Sequence, residues 1–318
     1  MPEPPTFTDV LDARRRIAPY VHRTPLRYYP SLSRLVGAEV WVKHENYQIL
    51  NSFKVRGGLN LVSRLQPDQL ERGLISASTG NHGQSVAFSG KTFGARVVVV
   101  VPERANPGKL AAMEDLGATI VEHGKVFDEA LAHSLRLAEE QGLRHVHSAN
   151  EPMLIAGVGT YALEIFEDLG DVDALLVPVG AGSGACGSAI VASAASPATE
   201  VIAVQAEAAP AAYLSWQGEE LAAAEMGTRA EGLATGSAYE LPIGILKRLV
   251  RTFTLVSEDE IRAAIRHYLE DARSMVEGAG AASLAGAIKL RDRLQGKRVV
   301  IVASGGNLSM EQLGEALS

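Results

Sequence analysis

The chain has 318 residues, 47% hydrophobic and 21% charged, with a net charge of −7 and a single cysteine. That length accommodates two domains or one large α/β unit with an insertion, and the acidic balance leaves no basic stripe for nucleic acid. No apolar run reaches the roughly 18 residues that span a bilayer. The N-terminus MPEPPTFTDV lacks a basic-then-apolar signal pattern, and Cys186 alone can form neither an intrachain disulfide nor a cysteine zinc cluster, so a soluble, cytoplasmic protein is expected.

In chain order, Arg14-Arg15-Arg16 reads as the solvated face of a first helix. Strands are predicted at 74–78, 96–101, 119–122, 174–179, 201–204 and 299–303, and helices at 82–93, 107–117, 126–141, 153–168, 258–272 and 279–293. VVVVV at 97–101 and ALLVPVG at 174–180 show no polar alternation, the pattern of parallel strands covered on both faces. Ser257 followed by Glu-Asp-Glu reads as an N-cap with an acidic first turn. The stretch 206–240 is the least regular. Alternating strands and helices predict a doubly wound α/β fold with a mostly parallel sheet.

Ligands in such folds sit where strand ends enter helices, and three of these loops carry chemistry. In VGAGSGACG (179–187), oriented N–H groups at a helix N-terminus suit an anion, while close helix–strand packing explains the glycines equally well. The loop lacks the GK[ST] ending of a P-loop and the acidic partner of a dinucleotide fingerprint. SASTGNHG (76–83) offers Ser78, Thr79, Asn81 and His82 either as a carboxylate site or as an N-cap cluster. Ser304 in ASGGN (303–307) is a strand-end turn residue or a neutral partner for a ring nitrogen. Glu277 caps the following helix or faces the same pocket. Upstream, Lys54 sits in NSFKVRGG (51–58), between an aromatic neighbour and two glycines, a setting that a surface amine does not require.

NSFKVRGG, STGNHGQSVA (78–87), VPVGAGSGACG (177–187), VEGAGAASLAG (276–286) and ASGGN together resemble the fold-type II (tryptophan synthase β-like) family of pyridoxal-phosphate enzymes. The branch they resemble is that of serine/threonine dehydratases and serine racemases. RTPL (23–26), AEGLA (230–234) and VSEDEI (256–261) add weaker support, and the segments fall in family order over nearly the whole chain. The resemblance implies a two-domain α/β enzyme with twisted, mostly parallel sheets flanked by helices. Residues 1–70 and 152–318 would form a large pyridoxal 5'-phosphate-binding domain. Residues 71–151 would form a small mobile domain carrying the substrate-carboxylate loop. A homodimer acting on a small amino acid, with no membrane or nucleic-acid partner, is implied too.

By the same resemblance, Lys54 binds the cofactor as a covalent imine and acts as general base, which requires an amine whose pKa is lowered by desolvation. Phe53 shields the cofactor, Asn81 meets its ring hydroxyl, and Gly180, Ala181, Gly182, Ser183 and Gly184 wrap its phosphate. Ser304 meets the ring nitrogen and Glu277 faces the cofactor pocket. Ser78, Thr79, Asn81 and His82 bind the substrate, and Thr79 is a second catalytic candidate because serine racemases carry a serine there. The implied activity is an ammonia-lyase that removes water from a β-hydroxy amino acid such as L-threonine or L-serine, giving a 2-oxo acid and ammonia. The alternatives are a serine racemase on the same scaffold and a β-replacement synthase, a branch with threonine where His82 stands. A non-catalytic binding module is disfavoured by the joint retention of Lys54, Asn81 and Ser304.

The chain also departs from the family. Ala181 and Ser183 replace two glycines of the phosphate loop, and Leu50-Asn51 stand where Thr-Gly is usual. In VQAEAAPA (204–211), Gln205 and Ala211 occupy positions where the family's divalent cation finds acidic ligands, so no metal site is expected. The chain ends soon after ASGGN, so no C-terminal regulatory domain and no feedback inhibition are expected.

Overall fold

Runs of buried β-branched residues build two separate sheets in the computed structural model, which describes residues 2–318. The strands are β1 (Leu26–Tyr28), β2 (Glu39–Lys43), β3 (Leu74–Ala77), β4 (Val97–Val101), β5 (Ala118–Glu122), β6 (Arg144–His145), β7 (Ala174–Pro178), β8 (Glu200–Ala206), β9 (Thr252–Val256) and β10 (Arg298–Val302). Six of them form one sheet in the order β1-β2-β10-β7-β8-β9. The other four form a second in the order β5-β4-β3-β6. Only the β1–β2 pair is antiparallel. The two unalternating runs become inner strands, β4 and β7, as their lack of polar faces requires.

Strand periodicity divides the core of the larger sheet in two. Leu176, Val299 and Ile301 point into one cluster with the helices Glu258–Asp271 and Gly278–Lys289. Leu175, Val177, Val300 and Val302 point into another with Pro152–Asp168 and Ser183–Ala195. In the smaller sheet Val97, Val99 and Val101 face one cluster and Val100 the opposite one. Ser257 is the expected N-cap, and Glu260 answers it to complete a capping box.

The structure departs from the sequence reading in several places. β1, β2, β6 and β9 were not expected: β1 and β6 are short, β2 carries Glu39 and Lys43, and two threonines interrupt the apolar run of β9. The helix expected over 279–293 breaks at Leu290 into Gly278–Lys289 and Arg291–Leu294. The irregular stretch 206–240 contains the short helix Ala211–Gln217.

The helix Lys54–Val62 shows no exposed stripe, since every residue after Lys54 is buried. It touches Pro152–Asp168 backbone to backbone: a Cβ on Gly157 would lie 2.4 Å from the Arg56 carbonyl oxygen. Beneath it Arg56 bonds Glu45 and Glu164, and Lys43 reaches Glu164 at 2.6 Å. Burial opposes ionisation of Glu164, but Arg56 and Lys43 outweigh it and hold the carboxyl below its usual range. Two buried cations thus face two buried carboxylates directly under the helix that starts at Lys54.

Candidate active site

Three strand ends converge on one cavity. β3 leads into Ser78–Asn81, β7 into the glycine loop at 180–184, and β10 into Ser304–Asn307. The turn before Lys54 is laced to the last of these by a Ser52–Gly305 bridge and by the Phe53 N–H donating to the Ser304 carbonyl at 3.1 Å. The cavity measures about 430 Å³, within the range of ligand pockets. Phe53, Lys54, Ser78, Thr79, Asn81, His82, Gly180, Ala181, Gly182, Ser183, Gly184, Glu277 and Ser304 all line it. A larger, shallow groove of about 780 Å³ at the edge of the six-stranded sheet, near Tyr28 and Trp41, gathers none of these groups.

Lys54 is half-buried on the cavity wall, and desolvation pulls its pKa down to about 8, against an upward pull from the Glu277 carboxylate. Its Nζ lies 3.2 Å from Ser183 Oγ and 5.1 Å from the centre of the Phe53 ring. That ring is fixed edge-on to Tyr161, whose hydroxyl donates to the Gly184 carbonyl.

The fit to a phosphorylated pyridine aldehyde can be tested on these groups. Gly182 adopts φ 96 at the N-cap of Ser183–Ala195, a left-handed conformation open to glycine at no steric cost. The first backbone bond of that helix is Cys186 N–H to Gly182 O. The N–H groups of Ser183, Gly184 and Ala185 therefore have no intrahelical acceptor and form an anion cup beside Lys54. A Cβ on Gly180 would strike the Gly232 carbonyl at 2.3 Å, so backbone closes the cup's other side. A nucleophilic amine of lowered pKa next to this cup, with the buried and uncharged Ser304 on the same cavity wall, suits the group.

The second helix N-terminus, at Asn81–Phe93, resolves readings the sequence left open. Ser78 Oγ accepts from the Gly80 and Gly83 N–H groups, so this hydroxyl serves as a local cap. Burial, reinforced by the charge of Lys54, drives the His82 pKa down to about 3. The neutral ring donates from Nε2 to the Val146 carbonyl at 3.3 Å, and its buried Nδ1 has no partner among the described residues. What His82 can offer a carboxylate is its main-chain N–H, which lies in the first turn. Asn81 donates from Nδ2 to Glu277 Oε1 at 2.7 Å. Burial pushes the Glu277 carboxyl up, opposed by that hydrogen bond.

The family's divalent cation does not fit. Gln205 is fully buried, with Oε1 accepting from the Tyr213 N–H and Nε2 without a partner among the described residues, and Ala211 supplies only a methyl group.

Three parts of the site escaped the sequence reading. Asn307 bonds Asn81, the ion pair Lys109–Glu231 lines the cavity from both sheets' connections, and the buried charge cluster under Lys54 involves Arg56. Asn307 stands within ASGGN and Glu231 within AEGLA, so the motifs flagged their segments without marking the side chains.

Comparison with known proteins places this geometry. The family model described as "Pyridoxal-phosphate dependent enzyme" matches residues 17–305. An L-threonine ammonia-lyase of Thermotoga maritima is 37% identical over 314 residues, covering 98% of this chain and 78% of the relative. An L-threo-3-hydroxyaspartate ammonia-lyase of Saccharomyces cerevisiae is 34% identical, covering 99% of this chain and 97% of the relative. The crystal structure of serine racemase from Dictyostelium discoideum superposes with a TM-score of 0.90 at 32% identity, over 96% of this chain and 99% of that one. With a cavity that suits that cofactor and two of these relatives matched over almost their whole length, the chain belongs to the pyridoxal-phosphate-dependent enzymes of fold type II.

Proposed function

We propose that the chain is an ammonia-lyase that eliminates water from a β-hydroxy amino acid such as L-threonine or L-serine, releasing a 2-oxo acid and ammonia. The observation that carries this reading is the half-buried amine of Lys54, with its pKa near 8, 3.2 Å from the Ser183 hydroxyl at the anion cup. Pyridoxal phosphate, when bound, withdraws electron density from the substrate's α-carbon. Lys54 is suited to hold the cofactor aldehyde and, once free, to take the α-proton as general base. The N–H groups of Ser183, Gly184 and Ala185 would hold the phosphate. The first-turn N–H groups of Asn81 and His82, with the Thr79 hydroxyl, would hold the substrate carboxylate.

Ser304 decides which outcome follows. Its hydroxyl carries no charge and cannot keep a ring nitrogen protonated as a carboxylate would. A weaker electron sink favours prompt departure of the β-hydroxyl over a stored negative charge. The overall change is loss of one water from the amino acid, then addition of one water and release of ammonia from the resulting imine.

In this reading residues 71–151 form a small mobile domain that closes the carboxylate loop over the substrate. The protein is a cytoplasmic homodimer, and no divalent cation is required. Among the described residues no helix is long and apolar enough to cross a membrane.

The test is incubation of the holoenzyme with L-threonine and L-serine, following 2-oxo acid, ammonia and the enantiomers of serine. Release of 2-oxo acid, abolished in Lys54→Ala, is the expected result, with neither EDTA nor magnesium changing the rate. Accumulation of D-serine without 2-oxo acid would replace this reading by a racemase. The specific observation that would favour a racemase is the Thr79 hydroxyl, which lines the cavity and has no hydrogen-bond partner among the described residues.

A further inference from the structure

Two consecutive non-glycine residues immediately before the Lys54 turn adopt left-handed backbone, Leu50 at φ 63 and Asn51 at φ 51. Such strain persists only where the surroundings over-determine it, and it concentrates at functional sites. Here the restraint comes from the end of β10. The Gly306 N–H donates to the Asn51 carbonyl at 2.9 Å, and Asn307 Nδ2 donates to the Leu50 carbonyl at 2.9 Å.

Asn307 Nδ2 has two hydrogens, and the second goes to Asn81 Oδ1 at 2.6 Å. This contact decides which way the Asn81 amide points. With Oδ1 held by Asn307, Nδ2 faces Glu277 Oε1 at 2.7 Å and keeps one further N–H to give. The reversed amide would set Nδ2 of Asn81 against Nδ2 of Asn307, and Oδ1 against the Glu277 carboxylate. Both contacts would be repulsive.

We propose that Asn307 is a positioning residue that locks the Asn81 amide with its donor toward the cofactor and fastens the strained Leu50–Asn51 turn that presents Lys54. One side chain thereby joins two segments 226 residues apart, the carboxylate-loop helix and the end of β10, to the lysine turn. The proposal rests on the reading that Asn81 meets the cofactor ring. It adds the group that decides whether Asn81 arrives as donor or as acceptor.

The test compares wild type, Asn307→Asp, Asn307→Ala, Asn81→Ala and the double variant Asn81→Ala/Asn307→Asp. Each is measured for pyridoxal phosphate affinity of the apoenzyme, for the absorbance band of the bound cofactor, and for apoenzyme melting temperature. Asn307→Asp is near-isosteric but accepts where asparagine donates, so it invites Asn81 to turn its amide. The expected result is cofactor binding weakened by about tenfold, the scale of one lost buried hydrogen bond, together with a shifted absorbance band. Both effects should recur in Asn81→Ala, and the double variant should lose less than their sum, the excess over Asn81→Ala being the lost bond to Leu50. Asn307→Ala should weaken binding likewise, and its melting temperature shows whether it folds. Wild-type affinity and band in both Asn307 variants would overturn the proposal. Fully additive effects in the double variant would also overturn it, since Asn307 would then act through the Leu50 carbonyl alone and not through Asn81. An unchanged cofactor site in Asn81→Ala would instead sink the reading of Asn81 as a ring partner, and the proposal with it. Failure to release 2-oxo acid alongside these spectral shifts would count against the lyase alone.

Discussion

Replacing Arg56 by methionine tests whether charge balance holds the helix that begins at Lys54. The guanidinium donates to both oxygens of Glu45, at 2.8 and 2.9 Å, and to both of Glu164, at 2.7 and 3.0 Å. Lys43 completes the set through Glu164, and all four side chains are at most 9% exposed. Two cations against two carboxylates make the cluster neutral. Methionine keeps an apolar stem but leaves one uncompensated negative charge in the interior. Breaking a buried pair in this way costs about 3–5 kcal/mol. At roughly 2–4 °C per kcal/mol for a large domain, the melting temperature should fall by about 6–20 °C. Neutrality can be restored by adding Glu45→Gln, which leaves Lys43 and Glu164 as a pair and keeps an acceptor for the Thr24 hydroxyl. The double variant should therefore be more stable than Arg56→Met. Thermal and urea unfolding of wild type, both single variants and the double variant gives the coupling energy directly. A loss below about 1 kcal/mol in Arg56→Met, or a double variant weaker than either single one, would refute the reasoning.

Two more outcomes follow from the cavity itself. Because burial lowers the Lys54 pKa to about 8, the neutral amine fraction rises with pH and reaches half there. The rate of cofactor capture by apoenzyme should follow the same curve in stopped-flow absorbance, and a midpoint near the ordinary lysine value of about 10.4 would contradict it. Glu277 pulls that pKa upward, so Glu277→Gln should move the midpoint below 8, and a shift in the other direction removes Glu277 from the account. In Gly305→Ala the new Cβ would sit 2.3 Å from Glu277 Oε1 and 3.3 Å from Asn81 Nδ2. Cofactor affinity measured by fluorescence titration should drop by about tenfold or more, and unaltered affinity would mean that the Glu277–Asn81 pair does not shape the cofactor's place.

The parts of this site that sequence could reveal are those encoded locally. VVVVV and ALLVPVG mark inner parallel strands because both faces of such strands are buried, and the glycine loop and Ser257 cap lie where strand or helix ends require them. The turns 78–82 and 180–184 could be placed at the cavity because strand ends point there. Their detailed use was less legible. Ser78 and His82 spend their polar groups on neighbours, a choice set by distances between turns that no residue spacing encodes. The charge cluster was out of reach because Arg56 and Lys43 meet Glu164 across 108 and 121 residues. Lys43 also ends the apolar pattern of β2, although its ammonium is wholly buried. Asn307 eluded the reading because its significance is a relation to Asn81 and Leu50 rather than a property of ASGGN.

The electrostatics of the cavity bear on which β-hydroxy amino acid is preferred. Burial works against the charged form of each group near its centre: it lowers the pKa of the Lys54 amine and of His82 and raises that of the Glu277 carboxyl. Anion binding then falls to two helix N-termini, at Ser183 and at Asn81, which match one phosphate and one α-carboxylate. A second substrate carboxylate would need a third cationic partner. Lys109 lines the cavity, but it is already paired with Glu231, which also accepts from Gln312. An acidic substrate must therefore displace Glu231 before Lys109 is available, and it meets Glu231 as a like charge while doing so. Threonine and serine carry no such penalty. Their kcat/KM is expected to exceed that of 3-hydroxyaspartate, and Glu231→Gln should narrow the gap through KM. A wild-type preference for 3-hydroxyaspartate, unmoved by Glu231→Gln, would show that another group receives the distal carboxylate.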